Sequence, residues 1–156
     1  MNHNFKGFQD VMIMKYGGLT GKIIGAAMEV HKALENGFQE VIYQRAVSME
    51  MNLQGISHER KKEMPLQYKG CDIGQRRVDF FMEEKIMAEL KATINLEDVQ
   101  LAKAMNYVEA YEMEVGLLLN FGSKSLEFKR FHNNQLLKKS GNQGHPTNQG
   151  SDKRSK

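Results

Sequence analysis

The sequence predicts a domain of the α/β (α+β) class, with helices and strands drawn from separate stretches of chain. Three observations predict it. Residues 19–53 carry apolar side chains at helical spacing. Residues 56–91 break into short runs that alternate apolar with polar. The run Glu114-Val115-Gly116-Leu117-Leu118-Leu119-Asn120 is almost continuously apolar, as in a central strand buried on both faces. A chain of 156 residues suits one domain with a single modest core.

In chain order, residues 1–16 mix Asn, Lys, Phe, Met and Gly without clear periodicity and read as a loose leader, which Gly17-Gly18 ends. The glycines at 17, 18 and 21 do not make a phosphate loop, because no Gly-Lys-Ser/Thr closes them and no strand precedes them. From Leu19 to Leu34 the pattern is helical, with Thr20 as N-cap and an apolar stripe of Ile23, Ala27, Val30 and Leu34. His31 lies off that stripe without metal-ligand partners nearby and reads as a partly buried polar contact. Asn36-Gly37 breaks the helix. A second helix is expected over Phe38–Leu53, with Phe38, Val41, Ile42, Met49 and Leu53 on its apolar side.

Gly55 ends that helix, and strands follow over Ile56–Arg60, Met64–Tyr68 and Cys71–Ile73, with Pro65 indicating an edge position or a strand start. A helix is expected over roughly Leu96–Tyr111, capped by Thr93 or Asn95, with Gln100, Lys103 and Tyr107 on one stripe. The buried strand at 114–120 is followed by a more exposed one over Ser125–Phe131. After His132 the composition turns to Asn, Gln, Gly, Ser and Lys, and residues 133–156 read as a disordered basic tail. The domain is thus placed at residues 17–132.

That tail carries five basic residues against Asp152, a net +4, so the formal +3 of the whole chain leaves −1 for residues 1–132. The body is therefore no broadly basic nucleic-acid platform, and phosphate contacts must come from local patches or bound cations. No apolar run approaches the roughly 20 residues of a membrane span. No signal peptide is recognisable, and Cys71 is the single cysteine, so a reduced, cytoplasmic setting is expected.

The chemistry concentrates in Arg77–Lys91, which reads as two strands joined by the turn Glu83-Glu84-Lys85. Val78, Phe80 and Met82 form one face of the first strand, and Ile86, Ala88 and Leu90 one face of the second. These faces coincide when Met82 opposes Ile86, which sets Asp79 opposite Glu89. Glu89 and Lys91 then share a face, about 7 Å apart. Two facing carboxylates can hold Mg²⁺ while waters and a substrate phosphate complete its shell, and Lys91 can orient a water or bind the phosphate. The same three residues also fit a surface charge cluster in which Lys91 bridges two acids. Glu40, in the first turn of the second helix, either satisfies free backbone N–H groups or is a third acid aimed at this site.

Two motifs add a resemblance. Val78-Asp79, then nine residues, then Glu89-Leu90-Lys91 resembles the motif of the PD-(D/E)XK nuclease superfamily. Gly37-Phe38-Gln39-Glu40-Val41-Ile42-Tyr43 resembles the Gly-x-x-Glu-x-x-Tyr signature of the GxxExxY protein family, a bacterial branch of that superfamily. The stretches 24–31, 88–92 and 115–122 are also similar to it. The resemblance implies a mixed β-sheet flanked by helices with a restriction-endonuclease-like core. It implies cleavage of nucleic-acid phosphodiesters, in DNA or RNA, with Mg²⁺ or Mn²⁺. Asp79, Glu89 and Glu40 match the metal-side acids and Lys91 the catalytic lysine; Tyr43 is a packing residue or supports the site from behind. Where the family commonly carries His-x-x-Gln on the following helix, this chain has Gln100 and Lys103. Lys103 either adds a phosphate contact or opposes the metal by like-charge repulsion. The competing expectations are an inactive module of the same fold that binds nucleic acid, and a small subunit acting with a protein partner.

Overall fold

Eight elements form in this computed structural model, which describes residues 3–133, with side chains from Tyr16 onward. They are α1 (His3–Leu34), α2 (Glu40–Leu53), β1 (Glu59–Tyr68), β2 (Cys71–Met82), β3 (Ile86–Lys91), α3 (Asp98–Ala110), β4 (Val115–Asn120) and β5 (Glu127–His132). The strands make one mixed sheet in the order β1-β2-β3-β4-β5. Neighbours pair antiparallel except β3 and β4, which run parallel and so need a crossover, supplied by α3. β1 lies at an edge, where Pro65 can go without donating to a second neighbour.

Both faces of the sheet are covered by helices. On one, Ile23, Ala27 and Val30 of α1 and Tyr43, Val47 and Met51 of α2 pack on Phe80, Met82, Ile86, Ala88, Leu90, Leu117 and Leu119. On the other, Val108 of α3 joins Met113 against Met87 and Val78, with Phe81, Tyr107 and Phe131 around them. β4 is buried at every position, as its apolar run requires. Each large side chain so buried contributes about 1.5–3 kcal/mol. α3 and β5 close tightly over β4 at Gly116, where a Cβ would lie 2.5 Å from the Phe131 ring and 2.7 Å from Val108. The loop after β3 is fixed to the end of β4 by Asn120, whose amide accepts from Thr93 N (2.9 Å) and donates to Thr93 O (2.9 Å).

Several expectations change. The stretch read as a loose leader is helical from His3, and Gly17-Gly18 lies inside α1 rather than before it. A glycine costs about 1 kcal/mol in a helix, which packing by Tyr16, Leu19 and Ile23 outweighs. Thr20 is therefore mid-helix and buried, its hydroxyl donating back to Tyr16 O at 3.0 Å. The core face of α2 is Tyr43, Val47 and Met51, while Phe38, Met49 and Leu53 are exposed. The short strands expected before the hairpin are two long ones, and Cys71–Ile73 opens the same strand that carries Asp79. α3 is capped by Glu97, not Thr93 or Asn95, in a capping box with Gln100, whose Oε1 accepts from Glu97 N at 2.8 Å. Asn133, placed in the tail, is buried and donates to Val108 O and Met113 O. The rest of that tail, 134–156, and residues 1–2 of the leader lie outside the described residues.

Two glycines give opposite expectations. A Cβ at Gly122 would meet Thr93 O at 2.2 Å and Thr93 N at 2.5 Å, both backbone atoms, so Gly122→Ala should destabilise by about 1–3 kcal/mol. Nothing lies within 4 Å of a Cβ at Gly25, within α1, so Gly25→Ala should stabilise by up to about 1 kcal/mol. Urea unfolding midpoints of the two variants test both signs.

Candidate active site

The hairpin forms in the expected register. Glu83 and Glu84 both take positive φ (56° and 58°), Lys85 N donates to Met82 O at 3.2 Å, and Met82 pairs with Ile86. The ladder continues through Phe81↔Met87 and Phe80↔Ala88 and then stops. Beyond it β2 pairs only with β1, while β3 pairs only with β4. The two strands part at Asp79, next in register opposite Glu89. The amide of Leu90 thus loses its strand partner, and Asp79 Oδ2 accepts from it at 2.8 Å. The other oxygen, Oδ1, accepts from Gln44 Nε2 of α2 at 3.1 Å.

The β1–β2 ladder skips the same point. Arg60 pairs with Phe80 and Lys62 with Val78, while Lys61, between them, takes φ 57°. One consequence corrects the alternation read from sequence. Val78 does not share the face of Phe80 and Met82; it packs with Met87 and Val108 under α3. A second consequence concerns Arg76, which strict alternation would turn away from Asp79. Its guanidinium lies at the site, with Nη2 3.4 Å from Glu89 Oε1 and Cζ 4.3 Å from the centre of the Tyr107 ring. Arg77 instead pairs with Glu63 at 3.0 Å on the exposed side.

Glu40 arrives from α2. The chain leaves α1 at Leu34, turns through Gly37 at φ 119°, and enters α2 at Glu40. Tyr43 holds this turn: its hydroxyl donates to Glu35 O at 2.6 Å and accepts from Phe38 N at 3.1 Å, while its ring stacks on Phe121 at 4.7 Å. This explains the spacing Gly-x-x-Glu-x-x-Tyr physically. The glycine turns the chain, the tyrosine one turn on fixes it, and the glutamate between them opens the helix. Gln44, four residues after Glu40, shares its helix face, so its contact with Asp79 was open to inference from spacing.

A cavity of about 170 Å³ is lined by Arg76, Glu89, Lys91, Gln100, Lys103 and Tyr107. Glu89, Lys91, Gln100 and Lys103 thus meet on the α3 side of β3. Glu40 and Asp79 lie close enough to interact electrostatically with each other and with Lys91. Burial pushes the Glu89 carboxyl up to about 8, and the charge of Asp79 adds to the rise. Asp79 is also raised by burial, against which the Leu90 amide and the Glu89 carboxyl work. Glu40 is raised by burial too, and Lys91 opposes this. Glu89 Oε2 is buried without a hydrogen-bond partner.

Two raised, adjacent carboxyl groups with an unused oxygen could serve a hard divalent cation as donors, and such a cation would favour the ionised form of both. Among the described residues, no group of three or more His, Cys, Asp or Glu side chains is placed to hold a metal ion. Two protein carboxylates suffice for Mg²⁺, which keeps waters and takes phosphate oxygens for the rest.

A sheet-borne Asp and Glu-x-Lys thus lie on a five-stranded mixed sheet covered by helices on both faces, with a helical Glu near enough to feel their charge. The family model of the PD-(D/E)XK nuclease superfamily matches residues 18–131, and the chain belongs to that superfamily. Among solved structures, the crystal structure of SSO0001 is similar at a TM-score of 0.45 and 12% identity, covering 87% of this chain and 71% of its own. No match was found among curated proteins.

Tyr43→Phe should cost about 1–3 kcal/mol in urea unfolding, because Glu35 O and Phe38 N both lose their partner. The buried acid sets a pH dependence. The unfolded Glu89 ionises near 4.5 and the folded one near 8, so its contribution to stability is complete below about pH 4.5 and is lost as pH rises to about 8. In EDTA, wild-type stability should therefore fall relative to Glu89→Gln across that window. A constant difference between the two would remove the buried-acid assignment.

Proposed function

We propose that this protein is a divalent-cation-dependent nuclease that hydrolyses nucleic-acid phosphodiester bonds. The observation that carries the reading is the strand fork, where Asp79 and Glu89 come together with one buried Glu89 oxygen unpartnered and Lys91 on the same face. Asp79 and Glu89 would hold Mg²⁺ or Mn²⁺, with Glu40 adding negative charge beside them. Such a cation supplies charge neutralisation at the scissile phosphate and acidifies a coordinated water. Lys91 projects into the cavity, where its ammonium can orient a water for in-line attack or pair with a phosphate oxygen. Glu40, whose proton affinity burial raises, is suited to accept a proton from that water. The Gly37–Tyr43 signature favours the GxxExxY branch of the superfamily, and nucleic acid, DNA or RNA, as the partner.

Purified protein with Mg²⁺ or Mn²⁺ should cleave single- or double-stranded DNA or RNA. Asp79→Ala and Lys91→Ala should each lower the rate on the order of 100-fold or more. Equal activity in wild type and both variants would assign the cleavage to a contaminant.

One observation favours a second reading, a nucleic-acid- or protein-binding module that has lost catalysis. The cavity beside Glu89 already holds Arg76, 3.4 Å from that carboxyl, together with Lys103, which stands where the family commonly has a glutamine. Calorimetric titration decides between them. Heat from Mg²⁺ binding that Glu89→Gln abolishes supports the nuclease; its absence at millimolar Mg²⁺, with nucleic acid still bound, supports the module.

A further inference from the structure

Arg76 is held at the site by an incomplete set of contacts. Its ion pair with Glu89 is a single contact at 3.4 Å, longer than the roughly 2.7–2.9 Å of a strong charged hydrogen bond and without the two-pronged geometry arginine prefers. Each partner keeps a buried atom without a hydrogen bond, Nε on Arg76 and Oε2 on Glu89. The contact with Tyr107 is better formed, with the guanidinium carbon 4.3 Å from the ring centre. The arginine is thus anchored over the ring and loosely engaged with the acid. Around it the cavity presents Lys91 and Lys103, so an anion entering there meets three cationic side chains.

A divalent cation and a guanidinium compete for the same carboxylate. We propose that Arg76 is a phosphate-binding residue released by metal: without a cation it rests against the Glu89 carboxyl, and once a cation takes that carboxyl its guanidinium binds a backbone phosphate of the nucleic acid. This rests on the nuclease reading of the site and adds a residue that recognises substrate. Tyr107 keeps the guanidinium in the cavity during the exchange. Arg77, one residue on and paired with Glu63 at the surface, takes no part.

The test is the salt dependence of oligonucleotide binding by the full chain, followed by fluorescence anisotropy at a pH above about 8, where the Glu89 carboxyl is ionised with or without a cation. Ca²⁺ serves as the cation, since it takes the same oxygen ligands, and a gel verifies that the oligonucleotide stays intact. One phosphate contact contributes about 0.7–0.9 to the slope of log K against log salt. With Ca²⁺, the slope for Arg76→Gln should be shallower than wild type by about that amount. In EDTA the two slopes should coincide, and Arg77→Gln should match wild type in both buffers. Equal slopes for wild type and Arg76→Gln in Ca²⁺ would overturn the proposal, as would an equal reduction in EDTA. Glu89→Gln, which releases Arg76 without a cation, gives a route that does not depend on Arg76→Gln folding. Its slope in EDTA should exceed that of wild type in EDTA, and an unchanged slope counts against the exchange. Failure of the nuclease reading would appear separately, as absence of Mg²⁺ heat in calorimetry.

Discussion

The bond from Leu90 N to Asp79 Oδ2 is the contact on which the site depends. A sheet that forks must leave strand amides behind, and in a strand buried on both faces each orphan costs about 1–3 kcal/mol. Here a side chain replaces the missing strand. The fork can open because Asp79 fills it, and filling it fixes a carboxylate beside Glu89. Gln44 holds the second oxygen and ties α2 to the same point. The acid that completes the sheet and the acid that faces Glu89 are one residue, so the site is no addition to a finished scaffold.

That arrangement concentrates charge. Glu89 is almost fully buried beside another acid, and its affinity for a proton rises accordingly. The fold offsets the repulsion only partly, through the Leu90 amide, Arg76 and Lys91. The unpartnered atoms of Glu89 and Arg76 mark where the compensation stops. Such unresolved charge inside a cavity is a common signature of a site that acts on a ligand, because a ligand can supply what the protein omits.

The hairpin was legible because two independent signals agreed: the two-residue alternation of Phe80, Met82, Ile86, Ala88 and Leu90, and a charged turn of the right length. The buried strand at 115–120 was legible for a similar reason, since no other element tolerates so unbroken an apolar run. Arg76 and Val78 were not, because a skip in the ladder at Lys61 and Asp79 reverses the faces that alternation assigns. Nothing in the local residue types announces that skip: Lys61 at positive φ is neither Gly nor Asn. The start of α1 was missed for the opposite reason. Glycines that punctuate a chain locally were overridden by packing on the sheet. The face of α2 was misjudged because Tyr43 reads as amphipathic yet lies wholly buried, satisfying its hydroxyl within its own turn.

The departure at Gln100 and Lys103 now has a physical setting. Gln100 lines the cavity, but its carbonyl is engaged by the Glu97 amide at the start of α3, so it contributes an amide edge at most. Lys103 joins Arg76 and Lys91, so three cationic side chains face the carboxyl groups of Asp79, Glu89 and Glu40 before any ion binds. On the nuclease reading a divalent cation would leave the site positive, and that excess would weaken the cation's hold until a polyanion entered. A phosphate backbone gains from the same excess. Because coupling between two ligands is reciprocal, metal and nucleic acid in such a site strengthen each other's binding. Lys103 therefore need not oppose the chemistry. On the nuclease reading it would shift the metal requirement toward the substrate-bound state, so that the cation would be held firmly only beside a phosphate.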